Sequence, residues 1–322
     1  MTWLKAFFSI FGFASLFYIL GEYGWANLLQ DFTLINWHII PLALTFIPTL
    51  FCYSIAWLLV TEIPDEREKI TLTGKFFSFT VISIAWNNLS PFLKVLGEPV
   101  KVILLNKKLT PRAATKSVVI YNIVHLIGTV SAFLLTALFI PLFFSVTNEI
   151  KWGLFLFIII TLFILLILFF FPAFARRTLK KKIFLRIRSL SLWLRWSFHK
   201  IQLFYRNQKQ ALLFAIFLEI SARFLEGITF YYAFFLLNEP ISITSAAFLD
   251  VGRALIDNLF FFIPYQVGSR EWGVTFLLHN ILQVPAKSII TAALLYRLVE
   301  ILWMFFGYML WIKEGSSAKS VR

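Results

Sequence analysis

Ionisable and amide side chains stand beside helix-breaking prolines and glycines in two stretches of this largely apolar chain. One stretch surrounds Pro91 and Gly97, and the other surrounds Pro264 and Gly268. Charges inside a membrane are costly unless they are paired or ligand-bound, and helix breaks expose backbone N–H groups that suit anions. The pattern predicts one binding site for a charged group such as a phosphate. Its candidate residues are Asn88, Lys94, Glu98, Lys101, Asn258, Arg270, Glu271 and Arg297.

The composition indicates an integral membrane protein. Hydrophobic residues make up 60% of the 322 residues and charged residues only 14%, with a mean hydropathy of +0.81, whereas soluble domains carry roughly a quarter charged residues. The single cysteine, Cys52, excludes an intrachain disulfide and a cysteine-based metal site. The four histidines lack metal-ligand spacing, so we assign them structural roles and expect no metal and no cofactor: His38, His125, His199 and His279.

Six apolar segments are predicted to cross the membrane, because each approaches the ~20 helical residues that a hydrocarbon core requires. Residues 25–37 carry aromatic anchors and are predicted to lie along the interface, and residues 61–75 form a charged loop. The predicted spans are residues 4–20, 38–60, 117–144, 152–171, 211–237 and 288–312.

The two interrupted segments, residues 76–106 and 241–282, share the order Asn-Leu, Pro, Gly, Glu around positions 87–99 and 257–271. The limbs before and after Pro91 have about sixteen and fifteen residues, fewer than the ~20 that a full crossing takes. Lipid tolerates broken backbone only where protein or water surrounds it. Each segment is therefore predicted to form a re-entrant helical hairpin, with full spans as the alternative.

The distribution of basic residues gives a topology. With the N-terminus inside, every basic cluster falls on the cytoplasmic side, as the positive-inside rule requires. Each half then reads span, span, hairpin, span, with opposite orientation, which is an inverted repeat. We predict an all-α polytopic protein of the plasma (inner) membrane, with six full spans, two re-entrant hairpins, both termini cytoplasmic, and halves at residues 1–150 and 151–322. The basic clusters are residues 61–75, 107–116, 176–209 and 313–322.

The basic stretch at residues 176–209 contains eleven Lys and Arg residues and no acid. Beside membrane spans this bias sets topology, so we expect no nucleic-acid partner. Its centre can form an amphipathic helix, with Arg188 and Arg195 on one face and Leu190 and Phe198 on another, suited to an anionic lipid surface. A solvated loop is the equal alternative.

Further charges stand inside predicted spans. Glu219, Arg223 and Glu226 share one helix face and are predicted to form an internal ion pair that fixes helix packing, with a functional role as the alternative. Arg297 stands on an apolar helix and needs a partner, which Glu271, Glu300 or an anionic substrate could supply.

At these motifs the chain resembles the flippase-like membrane domain of the lysylphosphatidylglycerol synthase family, including its stand-alone members. The first match is Asn88, Pro91 and Gly97-Glu98-Pro99, and the second is Pro264, Gly268, Glu271 and Arg297. Tyr265-Gln266-Val267 stand where the family often has a run of glycines, and Tyr121-Asn122 replace an acidic residue. The resemblance implies translocation of lipids with charged or sugar-bearing head groups, and no chemistry in this part of the protein.

The leading functional hypothesis is therefore a flippase for an anionic or otherwise charged phospholipid or polyprenyl lipid, and not an enzyme. An ion-coupled secondary transporter of a small polar solute and an accessory subunit of a lipid-modifying enzyme are the alternatives. A membrane enzyme that uses Glu98 and Glu271 as paired carboxylates is a further one. The expected partners are a membrane lipid and an anionic membrane surface, and a homo-oligomer is left open.

Overall fold

The protein is all-helical wherever its structure, a computed structural model, describes the chain: residues 35–63, 66–89, 96–178, 201–281 and 289–317, with positions 26, 29, 30 and 33. Several predictions lie outside these residues. They are the span at residues 4–20, most of the interfacial segment 25–37, Pro91, Lys94, the centre of the basic stretch 176–209 and the last residues of the tail.

A 3-10 turn at Asn36–His38 precedes the first helix, and a π-helical turn at Leu277–Ile281 follows the tenth. The helices in chain order are α1 (Ile39–Leu44), α2 (Ile47–Leu59), α3 (Glu66–Leu89), α4 (Gly97–Leu105), α5 (Pro111–Phe143), α6 (Asn148–Thr178), α7 (Lys209–Leu225), α8 (Gly227–Leu236), α9 (Ile243–Leu259), α10 (Ser269–Phe276) and α11 (Ile289–Ser317).

Within the described residues, four helical segments are long and apolar enough to cross a membrane. They overlap the spans predicted at residues 38–60, 117–144, 152–171 and 288–312, which are thereby confirmed as apolar helical segments of sufficient length, whereas their crossing of a membrane stays a prediction. The four segments are Asn36–Leu59, Pro111–Phe143, Asn148–Leu166 and Ile289–Glu314.

The helix predicted at residues 211–237 is not continuous. It is interrupted at Glu226, between α7 and α8, so the predicted span is built from two successive helices, and its crossing of a membrane stays a prediction. Gly227 follows the interruption, and glycine is the weakest helix former after proline. It also lets α8 approach α9 closely, because a Cβ at this position would lie 2.6 Å from the Cα of Ala247.

The close approach at Gly227 predicts a cost for even one added methyl group. We expect Gly227→Ala to lower the free energy of unfolding by about 1–3 kcal/mol, the usual effect of overpacking, because the new Cβ meets backbone atoms that cannot turn away. Thermal unfolding in detergent measures it. Gly153→Ala on α6 is the matched control, since a Cβ there meets nothing within 4 Å; equal melting temperatures for the two variants would contradict the prediction.

Both interrupted segments fold back on themselves. Helix α4 packs against the end of α3, where the Gly97 N–H donates to the Asn87 side-chain oxygen at 2.7 Å. Helix α10 packs against α9: a Cβ at Gly273 would meet Ile256, and one at Gly252 would meet Leu277. The contacts of the second segment run antiparallel, and in the first α4 turns back onto the end of α3, so each segment is a helical hairpin. Their re-entry into a membrane stays a prediction.

Three of the four hairpin helices are too short to cross a membrane, as predicted, and the fourth is long enough. Helices α4, α9 and α10 have 9, 17 and 8 residues, too few for a ~30 Å core. Helix α3 has 24 residues, about 36 Å at 1.5 Å per residue. It begins at Glu66, so the loop predicted at residues 61–75 is wrong beyond residue 65. Glu, Arg and Lys are strong helix formers, and their charge does not interrupt a helix that has reached water.

The order of helices repeats along the chain. Helices α1 and α2, the α3–α4 hairpin and α5 in the first half match α7 and α8, the α9–α10 hairpin and α11 in the second. Across the halves α2 packs on α7 and α3 packs on α11. This order agrees with the predicted repeat, whose inverted orientation and division at residue 150 stay predictions.

Candidate functional site

A cavity of about 360 Å³ lies among α2, α3, α4, α5, α7, α9 and α11. It reaches both interrupted segments, because residues beside each break line it. The volume falls within the range of small-ligand sites. The ionisable side chains in its lining carry both signs of charge: Glu98, Lys101, His125, Arg223, Glu226, Arg253, Asp257 and Glu300, with the phenols of Tyr53, Tyr121 and Tyr296.

The structure divides the residues predicted from the sequence into two groups. The first group lines the cavity: Asn88, Glu98, Lys101 and Asn258. The second group, Arg270, Glu271 and Arg297, is bound into ion pairs at the second break. Lys94 lies outside the described residues. The substrate role of all eight stays a prediction.

Lys101 and Glu98 form an ion pair one turn apart on α4. Their Nζ and Oε1 atoms lie 2.9 Å apart, and the ammonium stands 4.5 Å from the centre of the Tyr121 ring, a cation–π distance. Glu98 Oε2 is buried and has no hydrogen-bond partner among the described residues. The pair therefore presents one ammonium and one incompletely bonded carboxylate to the cavity.

Asp257 on α9 joins two arginines. Its carboxylate accepts from Arg253 at 2.7 Å and from Arg270 at 2.6 and 3.0 Å. Arg270 also pairs with Glu300 on α11, and its side chain is only 2% exposed. A buried guanidinium is stable only when acids surround it, so this network locks α9, α10 and α11 together behind the cavity.

The turn of the second hairpin is held by Arg297 of α11. This guanidinium pairs with Glu271 and donates to the carbonyls of Tyr265 at 3.0 Å and Gln266 at 2.7 Å. Glu271 in turn accepts from the Gly268 N–H at 2.9 Å, which caps the start of α10. Of the partners that the sequence left open for Arg297, the structure selects Glu271.

Tyr265 and Gln266 adopt left-handed backbone conformations, with φ of 53° and 51°, in the stretch where the family often carries glycines. A non-glycine residue in this region costs about 1–2 kcal/mol, and such strain persists only when its surroundings impose it. The two hydrogen bonds from Arg297 to these residues supply that constraint. The chain thus replaces glycine freedom by an arginine clamp.

A second polar network surrounds the kink at Glu226. Its carboxylate accepts from the Tyr53 hydroxyl at 2.6 Å and from Arg253 at 3.3 Å, while Arg223 lies 3.6 Å away. The predicted internal ion pair therefore exists between Arg223 and Glu226. Glu219, the third member of the helix face, turns instead to His125 on α5, with Oε2 and Nδ1 2.7 Å apart.

Sequence reasoning missed the parts of the site that depend on neighbouring helices. His125 was assigned a structural role, yet it lines the cavity and contacts both Glu219 and Arg223. Tyr53 and Tyr296 carried no signal, since a tyrosine in an apolar span is usually an ordinary packing residue. A histidine one turn after Tyr121 was the one hint that this face of α5 is polar.

The comparison with protein families decides the classification. The family described as the lysylphosphatidylglycerol synthase TM region matches residues 3–307. The chain belongs to this family. Comparison with curated proteins and with solved structures gives no match. Membership in the lysylphosphatidylglycerol synthase transmembrane-region family, together with the apolar helices, assigns the chain to a membrane and points to a function that involves membrane lipids.

Within that family, the cavity explains why so many charges accumulate in an apolar chain. The acidic side chains of the two networks outnumber the basic ones: Glu98, Glu219, Glu226, Asp250, Asp257, Glu271 and Glu300 stand against Lys101, Arg223, Arg253, Arg270 and Arg297. Arg253 contacts three carboxylates and Arg270 two, and Arg297 is bound by Glu271 and by two backbone carbonyls, whereas Arg223 contacts one carboxylate among the described residues, at 3.6 Å. Arg223 and Lys101 are therefore the cations most available to a ligand.

Proposed function

We propose that the protein translocates a lipid with a charged, phosphate-bearing head group, and that the head group passes through the cavity between the two hairpins. The carrying observation is that the charged cavity continues into an exposed apolar surface at the second break. Phe261 lines the cavity and is 47% exposed, next to Leu259 and Phe262, which are 60% and 37% exposed. An amphipathic ligand matches such a boundary, with its polar part inside and its chains outside.

The available cations define the head-group contacts in this proposal. Lys101 and Arg223 bind the phosphate, since each contacts one carboxylate among the described residues, whereas Arg253 and Arg270 contact several and Arg297 is also bound to two backbone carbonyls. Arg270 and Arg297 act as positioning residues that hold the second hairpin. Glu98, whose Oε2 has no hydrogen-bond partner among the described residues, contacts any donor group on the head group. Charge-assisted hydrogen bonds of this kind are stronger than neutral ones.

The boundary also separates this proposal from the transport of a small polar solute. A solute carrier needs a site closed off from lipid, whereas an exposed phenylalanine in the cavity wall is suited to hydrocarbon contact. The proposal includes no covalent step, and a purely translocating role agrees with the resemblance that the motifs carry.

Translocation in proteoliposomes tests the proposal. Vesicles contain phosphatidylglycerol that bears a fluorophore on one acyl chain, and a membrane-impermeant reductant bleaches the outer leaflet. With the wild-type chain, we expect fluorescence to fall below the half that empty vesicles retain. Lys101→Gln is expected to lower the rate about tenfold or more, since one charge-assisted contact contributes about 1.5–3 kcal/mol.

Lys107→Gln is the matched control, because Lys107 is an exposed lysine of the same segment that pairs with Glu314 at 3.3 Å, away from the cavity. Its rate should equal that of the wild type. Wild-type vesicles that bleach no further than empty ones, whatever their lipid composition, would overturn the proposal. Equal rates for Lys101→Gln and wild type would remove Lys101 from the site.

A further inference from the structure

The histidine in the cavity wall has a fixed hydrogen-bonding pattern. Its Nε2 lies 3.2 Å from Nη2 of Arg223, and its Nδ1 lies 2.7 Å from Oε2 of Glu219. Arginine only donates hydrogen bonds, so Nε2 of His125 must accept and Nδ1 must carry the proton. Neutral His125 therefore joins Glu219 to Arg223 as a bridge.

A second proton on this ring cannot be accommodated in the same arrangement. It would place an N–H on Nε2, facing the N–H of Arg223, and two cations would then stand in contact. Among the described residues, Arg223 is otherwise held by the Thr129 hydroxyl at 3.2 Å, by Glu226 at 3.6 Å and by the Tyr53 ring, whose centroid lies 5.8 Å from the guanidinium carbon. Glu226 already accepts from Tyr53 and Arg253. Loading the proton thus releases the guanidinium, and the cavity lies next to it.

The carboxylate of Glu219 favours a second proton on the His125 ring. The Glu219 side chain is 0% exposed, and Oε1 has no hydrogen-bond partner among the described residues. A buried carboxylate without full hydrogen bonding favours a neighbouring positive charge or a proton of its own. His125 is 38% exposed and lines the cavity, so a proton can reach the ring through the cavity.

The other groups around the pair do not fulfil this role. The Tyr53 ring of α2 meets the His125 ring edge-on and the Tyr121 ring of α5 is tilted to it, with centroids 5.6 and 6.0 Å away. Tyr121 also interacts with Glu219. Cys52 of α2 lies close enough to Glu219 for electrostatic interaction. Lys101 of α4 lies over the far side of Tyr121 and is paired with Glu98. Beyond the ring, Arg253 of α9 is held by Glu226, Asp250 and Asp257.

We propose that His125 and Glu219 form a proton-binding site whose loading releases Arg223 to bind the phosphate of the lipid head group. The identity of the ligand in this inference rests on the proposed function, whereas the binding of a proton by His125 and Glu219 does not. One proton would then accompany each bound phosphate. When His125 carries this proton, the excess of acidic over basic side chains in the networks falls by one. Binding of the anionic lipid is thereby tied to pH.

Binding is measured on the purified full chain in detergent, with short-chain phosphatidylglycerol and, separately, with inorganic phosphate, between pH 5 and 8, where histidine side chains change charge. For wild type we expect affinity for the lipid about tenfold higher at the acid end, a common size for such coupling. His125→Gln mimics the neutral ring, because its amide can donate to Glu219 and accept from Arg223. It should bind weakly at every pH.

His279→Gln is the control, because His279 is an exposed histidine of the π-helical turn. It should keep the wild-type dependence of affinity on pH. Tighter binding of inorganic phosphate than of lipid would make free phosphate the ligand.

A second readout needs no lipid. Nitrogen NMR of imidazole-labelled protein follows the titration of His125, identified by its absence in His125→Gln. In Arg223→Gln the ring should take up its proton at a higher pH than in wild type, because the opposing cation is gone. An unchanged midpoint would overturn the inference. If the midpoint moves but vesicles show no translocation, the proton site stands and the proposed function fails.

Discussion

Asp257→Ala is expected to lower the free energy of unfolding by about 3–5 kcal/mol, the range for breaking a buried ion pair from one side. The carboxylate is the shared acceptor of Arg253 and Arg270, and both guanidiniums are at most 5% exposed. Alanine leaves two buried cations facing each other with one acid fewer. Denaturant unfolding in detergent, followed by tryptophan fluorescence, measures the loss.

Asn258→Ala is the matched control for this prediction. Asn258 is the next residue along α9, its side chain is exposed, and its amide donates to the Ala254 carbonyl of its own helix at 2.7 Å. We expect a change within about 0.5 kcal/mol, as for surface substitutions in general. If Asp257→Ala costs no more than this control, the carboxylate does not hold the hairpin.

The double variant Asp257→Ala with Arg270→Ala separates the pair from its surroundings. Removing both partners costs less than the sum of the single losses when the two side chains stabilise each other. We expect a coupling free energy between Asp257 and Arg270 of about 1–3 kcal/mol. It should be smaller than the full loss in Asp257→Ala, because Arg253 also loses its contact with Asp257.

The helix breaks could be predicted from the sequence because proline and glycine act on the backbone locally. Helix α9 ends at Leu259, Pro264 begins a 3-10 turn, and Gly268 precedes the first residue of α10, so the break lies where the proline and the glycine predict it. The pairing of Arg297 with Glu271 was among the predicted choices, since a lone arginine on an apolar helix demands an acid. The positions of four spans followed from apolar length alone.

Contacts between helices could not be predicted in the same way. Periodicity states which residues share a face, but it does not state which helix lies opposite. Glu219 therefore appeared to belong with Arg223 and Glu226, whereas the packing of α7 on α5 turns it to His125. Gly128 and Glu219 show how close that packing is, because a Cβ on the glycine would collide with the glutamate side chain.

Charge also misled the placement of one helix boundary. The polar pattern predicts a loop up to residue 75, whereas residues 66–75 form about the first three turns of α3. Hydropathy indicates where the apolar segment ends. A helix can continue beyond that point into water when its residues favour the helical conformation. Because the predicted helix was made to begin at the edge of the apolar segment, its predicted length is shorter than that of α3.

Arg297→Met is the second substitution with a large expected effect, because it removes the clamp on the strained turn of the second hairpin. Methionine keeps most of the side-chain volume but leaves Glu271, whose side chain is 0% exposed, without its cation. It also frees the carbonyls of Tyr265 and Gln266. We expect a loss of about 3–5 kcal/mol in the free energy of unfolding, and faster hydrogen exchange at the Gly268 amide than in wild type. Arg112→Met, at an exposed arginine at the start of α5, should change neither.

Two further variants distinguish a clamp from a simple ion pair. Arg297→Lys keeps the charge but has no planar fork, so it cannot donate to Glu271 and to both carbonyls at once; we expect it to exchange at Gly268 almost as fast as Arg297→Met. Adding Glu271→Gln to Arg297→Met removes the buried charge while the new amide oxygen can still accept from Gly268. This double variant should regain part of the lost unfolding free energy and keep the fast exchange, because the carbonyls of the turn remain unbound. If Arg297→Lys behaves like wild type in both measurements, charge alone holds the turn and the clamp is wrong.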